Sequence, residues 1–301
     1  MAIVNGAKLT AAKTSCNALF QGAIAELNDD FVGPFVMDRT SDVEFEKYHF
    51  IDPVSAMEEF SGSREYQKLI AQAFIVQNKV YTHGVEIGVD EIADDRLDIV
   101  RPAITRLANS TQQNWNKLLA AKLIAGEVAG STGYDDAIFF SAAHPSQVGA
   151  ARSNTDAGSA LTATTFAAGV LAMESLVNTQ GDPIGISPTH LVVGPLLRAT
   201  AEAIVEIGPL LVGGDGDPNP NYGRCKLVVN QYLGSSLDWY LFDNSHAEKA
   251  MIRQKRSAPI FSMDESPSAE SVKQRRVVEA YAEVRGAIDY GMWEFAYKGQ
   301  A

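Results

Sequence analysis

His144, which directly precedes Pro145, is the residue of this chain most suited to enzyme chemistry. An imidazole can act as a general base near neutral pH, and a hydrolase could use it to activate a nucleophile. The sequence supplies no motif for that nucleophile, because it contains no G-x-S-x-G, no H-E-x-x-H, no Walker loop and no G-x-G-x-x-G after a strand. A lone histidine is more often structural than catalytic, so we predict a structural role for His144.

Oxygen-bearing side chains alternate in GGDGDPNPNYG, residues 213–223, as they do in calcium-binding loops. The four are Asp215, Asp217, Asn219 and Asn221. The match to a calcium loop fails at two positions, since Pro220 replaces the turn glycine and Lys226 replaces the bidentate glutamate. We therefore predict a loop tip here and no metal site.

Two further pairs of reactive residue types are present. Asp94 and Asp95 are adjacent, and neighbouring positions on a helix do not face one another, so we interpret both as first-turn charges. Cys16 and Cys225 are far apart and belong to no C-x-x-C, which favours small buried side chains over a disulfide or a metal site. We predict no catalytic, cofactor-binding or metal-binding residues and no enzymatic activity.

Composition and charge narrow the class of protein. With 301 residues, of which 46% are hydrophobic and 21% charged, the chain should fold into two lobes, without a membrane span or a secretion signal. The net charge of −12 argues against a dedicated nucleic-acid binder. Two local basic clusters are interpreted as solvated or inter-subunit faces: Arg253, Lys255 and Arg256, and Lys273, Arg275 and Arg276.

Residues 90–129 contain the longest helix-compatible pattern, a spine around which the other elements are arranged. Mostly apolar residues recur at spacings of three and four and form one stripe, which also includes Val100 and Thr111. We predict that four residues of this stripe form a core: Ile104, Leu107, Trp115 and Leu118. Pro102 removes one backbone donor and disfavours helical geometry before it, so we expect a bend or a new helix start there.

The segments before the spine are predicted to be mostly extended. Residues 1–43 lack periodicity and resemble an arm; 43–51 is typical of a strand and 53–63 of a loop. Residues 73–77 and 80–89 suit two strands joined near Asn78 and Lys79, with Tyr81, Val85 and Ile87 on one apolar face. We predict a hairpin that is covered by another subunit; the alternative is a hairpin that folds back on its own spine.

The second lobe is predicted to combine a sheet with flanking helices. Helices are expected at 162–178, with Thr162 or Thr164 as a cap, and at 195–207, where Pro195 suits a first turn. Short strands are expected at 190–194, 225–229 and 239–242, and a long strand-rich segment at 275–290.

Four segments of the chain resemble, in the same order, the major head subunit (major capsid protein) family of Mu-like bacteriophages and prophages. They are QNKVYTHGVEIGVDEIADDRLDIVRP at 77–102, YDDAIFFSAAHP at 134–145, LFDNSHAEKAMIRQKR at 241–256 with the closing YGMWEFAYKG, and the weaker LFQGAIAE at 19–26. The chain departs from the family at Ser141, Ala142 and Ala143, where acidic and polar residues are expected.

The resemblance implies an α+β chain with the Hong Kong 97-like phage capsid fold. The implied parts are an N-terminal arm at 1–43, an extended hairpin loop region at 44–89, a peripheral domain built on the spine helix at 90–150 and 251–289, and an axial domain at 151–250 and 290–301. In that fold the hairpin is covered by the adjacent subunit, so we predict that Asn78, Lys79, Tyr81, Val85 and Ile87 serve assembly.

The function implied by the resemblance is structural: self-assembly into the hexamers and pentamers of an icosahedral head enclosing double-stranded DNA, without sequence recognition, as part of the virion. Assembly is expected in the bacterial host cytoplasm, with scaffold, head protease and portal proteins as partners and no cofactor or membrane. The alternatives are an encapsulin-like compartment shell and, less favoured, a hydrolase that uses His144.

Overall fold

The computed structural model describes residues 6–27, 31–51, 71–93, 97–145, 151–178, 181–210, 217–264, 266 and 268–300. The helices are α1 (Gly6–Glu26), α2 (Val89–Ala93), α3 (Leu97–Ala125), α4 (Ala163–Glu174) and α5 (Arg198–Val205). The strands are β1 (Val36–Thr40), β2 (Phe45–Ile51), β3 (Ala71–Gln77), β4 (Lys79–Gly88), β5 (Thr155–Ala157), β6 (His190–Val193), β7 (Pro209–Leu210), β8 (Asp217–Pro218), β9 (Lys226–Val229), β10 (Trp239–Phe242), β11 (Met251–Met263), β12 (Val277–Tyr290) and β13 (Ala296–Gln300). The mixture of helices and sheets confirms the predicted α+β class.

The structure is organised around two main sheets. The four-stranded sheet has the order β1-β11-β12-β4, and the five-stranded sheet has the order β5-β13-β10-β6-β9. The long antiparallel pair β11 and β12 returns from the second lobe to lie beside strands that precede α3. The chain therefore leaves the first sheet and later rejoins it, as the pattern of sequence-distant strands predicts.

The spine helix α3 contributes to two hydrophobic cores. Ile104 and Leu107 are buried against α1 and the four-stranded sheet, whereas Trp115 is buried in the larger core, with Leu118 half-buried beside it. Burying each of these large side chains stabilises the fold by ~1.5–3 kcal/mol. Pro102 lies inside α3, where it removes one intrahelical hydrogen bond in the second turn.

Within the predicted spine, α2 ends at Ala93 and α3 begins at Leu97, upstream of Pro102. The side chains of Asp94 and Asp95 lie outside the described residues. Among the helices within the described ranges, none has the length and apolar character that a bilayer crossing requires.

The prediction of an extended arm over residues 1–43 is wrong for its first half, because α1 is a helix of 21 residues. Three of its side chains are buried, Leu9, Cys16 and Phe20, and most of the others are small. Such a narrow apolar stripe gives little periodic signal, although Leu9 and Phe20 lie on nearly the same side, three turns apart.

The predicted hairpin over residues 73–89 is also wrong, because β3 and β4 do not pair with each other. Strand β3 pairs antiparallel with β2, whereas β4 pairs antiparallel with β12 over its whole length. Asn78 lies between β3 and β4 and is buried, so it is a crossing point between two sheets and not a solvated tip. A local hairpin was expected because two strand-like segments follow one another with a polar residue between them.

Several elements of the second lobe are confirmed. Thr162 caps α4 through a capping box, in which its hydroxyl accepts from the Thr165 amide at 3.1 Å. Pro195 opens the 3₁₀ turn that leads into α5. Strands β6, β9, β10 and β12 fall within or close to the predicted ranges.

Candidate functional site

His144 is buried in the interior, between two backbone segments that hold it at a fixed position. Its side chain has no exposed surface, and its ring lies flat on the Trp293 indole with centroids 3.7 Å apart. Nδ1 lies 2.7 Å from Asp135 Oδ2, and Nε2 lies 3.1 Å from Asn154 Oδ1. Both ring nitrogens therefore have oxygen partners, and neither faces a hydroxyl or a thiol.

Asn154 fixes the geometry on the far side of the ring. Its Nδ2 donates to the carbonyls of Phe139, at 2.8 Å, and Trp293, at 3.3 Å. Its Oδ1 accepts from the Ser141 amide at 2.9 Å. Because these bonds fix the orientation of the amide, His144 acts as part of a buried network, and a base that cannot reach solvent cannot activate a substrate. The contacts favour the structural role of His144.

Charged side chains complete this buried polar cluster, which comprises Tyr134, Asp135, His144, Arg152, Asn154 and Glu294 around Trp293. The Tyr134 hydroxyl donates to Glu294 Oε1 at 2.5 Å. The Arg152 guanidinium lies 4.9 Å from the Trp293 ring centroid and 3.9 Å from Glu294 Oε1. Buried charges are tolerated when they are paired and hydrogen-bonded, as they are here.

Lys298 forms a second buried charged site between the end of the spine and the five-stranded sheet. Its side chain is 2% exposed, and its Nζ lies 2.8 Å from Glu127 Oε2 and 3.1 Å from Asp238 Oδ2. The neighbouring Tyr240 is buried, and burial raises the pKa of its hydroxyl far above the usual range. These ion pairs compensate the buried cation and connect Glu127, just after α3, to β10 and β13.

The first basic cluster differs from the prediction of a solvated or inter-subunit face, because one of its residues is buried within the chain. Arg253 is buried and forms two hydrogen bonds to Asp38, from Nε at 2.6 Å and from Nη2 at 2.8 Å. Burial alone would raise the pKa of Asp38, but the bonds from Arg253 and Lys255 outweigh it and lower the pKa. Arg275, in contrast, is exposed and pairs with Glu86 at 2.5 Å.

The calcium-like loop is held by its asparagines through backbone contacts. Asn219 Nδ2 donates to the carbonyls of Ile204 and Ile207, at 2.8 and 2.9 Å. Asp215 lies outside the described residues. Within the described ranges, no group of three His, Cys, Asp or Glu side chains is placed to hold a metal ion.

Both cysteines are buried. Burial raises the pKa of Cys16, and it raises that of Cys225 to about 12, so both thiols stay protonated near neutral pH. Thiolate chemistry is therefore suppressed at both positions.

The predicted assembly residues lie close to the protein's own core. Asn78 Nδ2 donates to Ser41 Oγ at 2.9 Å and to the Val43 carbonyl at 2.8 Å, which fixes the base of the β2–β3 hairpin. Ile87 is buried, and Val85 packs against the same core. Tyr81 packs against the larger core and is half-buried, whereas Lys79 is exposed.

An exposed apolar surface that the sequence analysis missed lies on the β2–β3 hairpin. Phe45 and Ile75, with 53% and 59% exposure, point away from the body, while Phe50 and Val76 on the opposite face are buried. The Tyr48 hydroxyl donates to Gln254 Oε1 at 2.7 Å and attaches that inner face to β11. Exposure alternates along 45–50 as in a strand, but the apolar residues do not, because Phe45 lies on the outer face and Phe50 on the inner face.

Comparisons with known proteins agree with this architecture. A sequence profile described as Phage capsid protein matches residues 74–298, and the chain therefore belongs to the phage capsid protein family. It is 21% identical over 250 residues to the "Mu-like prophage FluMu major head subunit" of Haemophilus influenzae, covering 83% of this chain and 59% of the relative. It is 26% identical over 143 residues to the "Major capsid protein" of Escherichia phage Mu, covering 48% of this chain and 46% of the relative. The chain spans about half the length of these two relatives.

Among solved structures, the chain resembles a subunit of the procapsid of bacteriophage JBD30. The TM-score is 0.62 at 19% identity, and the match covers 99% of this chain and 76% of that one. At this level of identity the likeness establishes the fold, which is the Hong Kong 97-like capsid fold that the resemblance implies.

Proposed function

We propose that the protein is a major capsid protein, which assembles with copies of itself into the hexamers and pentamers of an icosahedral head around double-stranded DNA. Membership of the phage capsid family and the capsid fold support this proposal. As a capsid subunit it would be a component of the virion, built in the host cytoplasm, and it would act structurally and not as an enzyme. Scaffold, head protease and portal proteins remain predicted partners.

The observation that carries the proposal is the outward face of the β2–β3 hairpin. A two-stranded sheet is marginally stable in water, and this one is supported on its inner face by Phe50, Val76 and the Tyr48 contact. Its outer face leaves Phe45 and Ile75 in solvent. Exposed apolar side chains on a projecting hairpin suit an interface, and a second copy of the chain would remove them from water.

The subdomain names are part of the proposal, with adjusted boundaries. We assign β2 and β3 to the extended hairpin, ending at Asn78, and β4 to the peripheral domain with α3, β11 and β12. The axial domain comprises the five-stranded sheet. The N-terminal arm would include α1, which packs on α3.

The predicted assembly residues take an indirect role in this proposal. Asn78 bonds to the chain just before β2 and would fix the angle at which the hairpin leaves the body. Tyr81, Val85 and Ile87 belong to β4 and would anchor this strand on the cores beneath it. The exposed Lys79 would lie next to the hairpin base.

A matched pair of double variants tests the proposal. Phe45→Ser with Ile75→Ser removes the apolar pair, whereas Lys47→Ser with Gln77→Ser changes their polar cross-strand neighbours on the same face. We expect the first variant to keep native circular dichroism and cooperative unfolding yet to form few or no shells, and the second to form normal shells by electron microscopy. Normal shells from the first variant would contradict the role of this face.

A compartment shell that encloses protein is the alternative within the same fold. The family match and the two head-subunit relatives favour the phage head. Nuclease treatment of purified particles, followed by extraction, separates the two: protected double-stranded DNA supports a head, and a protein cargo without DNA would support a compartment.

A further inference from the structure

Acidic residues are absent from two long stretches of this acidic chain. Of its 37 Asp and Glu residues, none lies at 6–25 or at 99–126. The same ranges carry six basic residues: Lys8, Lys13, Arg101, Arg106, Lys117 and Lys122. They comprise nearly all of α1 and α3, so the rest of the chain is even more negative than the net charge of −12 indicates.

These two helices form one layer on one side of the four-stranded sheet. Phe20 of α1 and Ile104 of α3 share a core with Val278, Ala280 and other side chains of the sheet. Alternate residues of β12 point to the opposite face, where Glu279 is exposed and is paired in register with Glu86 of β4. Glu86 and Glu279 therefore lie on the face away from the helices, whereas Asp289, at the far end of β12, pairs with Lys122 of α3.

Two basic side chains follow the solvent side of α3. Arg106 and Lys117 are both exposed, and eleven residues separate them, which is close to three helical turns. They therefore lie on the same side of the helix, roughly 16 Å apart at ~1.5 Å per residue. Lys122, one further turn on, is already paired with Asp289 at 2.6 Å and is less available to a ligand.

A polar cleft of about 310 Å³ lies beside this row, between α3 and β4. Its described lining contains no carboxylate and many hydrogen-bond donors: Thr82, His83, Ser110, Thr111, Gln113, Asn114 and Lys117. The buried Nδ2 of Asn114 has no hydrogen-bond partner among the described residues. An unmet donor beside a lysine suits an anionic oxygen.

We propose that Arg106, Lys117 and the cleft between them and β4 bind phosphates of the DNA backbone, without reading the sequence. This inference rests on the proposed function, because it assigns the helical layer to the DNA side of the shell. At this separation the two cations can each contact a different phosphate of one duplex, because successive phosphates of a strand rise only ~3.4 Å along the duplex axis. Ionic contacts of this kind position DNA and carry no sequence information.

The test compares two double variants that remove the same charge. Arg106→Gln with Lys117→Gln removes the proposed contacts, and Lys226→Gln with Lys273→Gln removes two exposed cations that do not line the cleft. The full chain, kept below the concentration at which shells form, is titrated into a fluorescent duplex DNA at several salt concentrations. We expect the slope of log K against log salt to become shallower by about 2 for the first variant, at ~0.9 per phosphate contact, and to stay unchanged for the control.

An equal slope for the wild type and the first variant would overturn the inference, as would a wild-type chain that binds no duplex. Competition by polyglutamate as strong as competition by unlabelled duplex would assign the surface to acidic protein segments and also overturn it. Electron microscopy of the same preparations at high concentration reports shell formation separately. A wild type that forms shells and lacks DNA binding fails this inference alone, whereas a wild type that forms no shells fails the proposed function.

Discussion

The His144 imidazole stacks on the Trp293 indole with an interplanar angle of 2°. These residues belong to two separate segments that carry the family resemblance, YDDAIFFSAAHP and YGMWEFAYKG, and the same segments also meet through the stacked rings of Phe139 and Tyr290 at 4.4 Å. The buried polar cluster joins the loop after the spine to the end of the chain. We infer that these two segments carry the family resemblance because their contacts hold the two sheets together.

Replacing His144 by alanine should destabilise the fold. The variant loses the stacking on Trp293 and leaves the Asp135 carboxylate without its partner, which should cost about 3 kcal/mol in the free energy of unfolding. Denaturant unfolding measures this change. His49→Ala, at an exposed position of the hairpin, is the control and should change it by less than ~0.5 kcal/mol. An unchanged His144→Ala variant would contradict a structural role for the cluster.

Two glycine-to-alanine changes should alter the stability of the fold in opposite directions. An alanine Cβ at Gly286 would lie 2.3 Å from the Gln254 carbonyl oxygen and 2.9 Å from the Trp115 ring, so the backbone of β11 must shift; the cost of such overpacking is ~1–3 kcal/mol. Gly22 lies in α1 with nothing within 4 Å, and alanine there should stabilise by ~0.5–1 kcal/mol. Thermal unfolding of both variants checks the contrast. A stable Gly286→Ala protein would show that β12 does not approach β11 and the spine this closely.

Alkaline pH should weaken the fold between about pH 10 and pH 12. Burial raises the pKa of Tyr48, Tyr290 and Tyr297 from 10.0 to about 12, so the folded state favours the neutral phenols. The unfolded chain releases these protons first as pH rises, so the stabilisation is complete below pH 10 and is lost as pH approaches 12. Urea unfolding at a series of pH values measures the loss, which should be smaller in Tyr48→Phe. A pH-independent stability in this window would contradict the burial of these hydroxyls.

Asn78→Ala should loosen the hairpin and leave the body intact. The variant loses two hydrogen bonds at the hairpin base, worth ~0.5–1.5 kcal/mol each. Hydrogen exchange should become faster for the amides of β2 and β3 and stay unchanged for β12. The neighbouring exposed residue provides the control, Gln77→Ala, which should leave all three strands unchanged. Equal acceleration in β12 would mean that Asn78 supports the whole domain.

The elements that could be predicted from the sequence are those with a strong local period or cap. The core side of α3 follows from Ile104, Leu107 and Trp115, and Thr162 marks the start of α4. No local pattern in the sequence indicates which strands pair with each other. Strand β4 pairs with β12, whose residues lie almost 200 positions away, and nothing in residues 73–89 distinguishes this from a hairpin.

The buried polar cluster likewise cannot be predicted from the spacing of residues in the sequence. His144 stands out in the sequence, but its partners Asp135, Asn154 and Trp293 come together only through the folding of distant segments. The local sequence predicts a solvated or inter-subunit face for Arg253, because a basic cluster is usually exposed, but its burial depends on Asp38 from the distant strand β1. Charge compensation across the fold overrides the local pattern in both cases.

Mass photometry of the purified 301-residue chain tests the central claim most directly. The chain has a mass of 32.4 kDa, and a capsid subunit with an exposed apolar hairpin should associate into capsomers and closed shells of many copies at micromolar concentration. We expect species at multiples of the chain mass, up to particles of megadalton size, across a range of salt concentrations. A single stable species of about 32 kDa under all these conditions would contradict the assignment as a shell-forming protein.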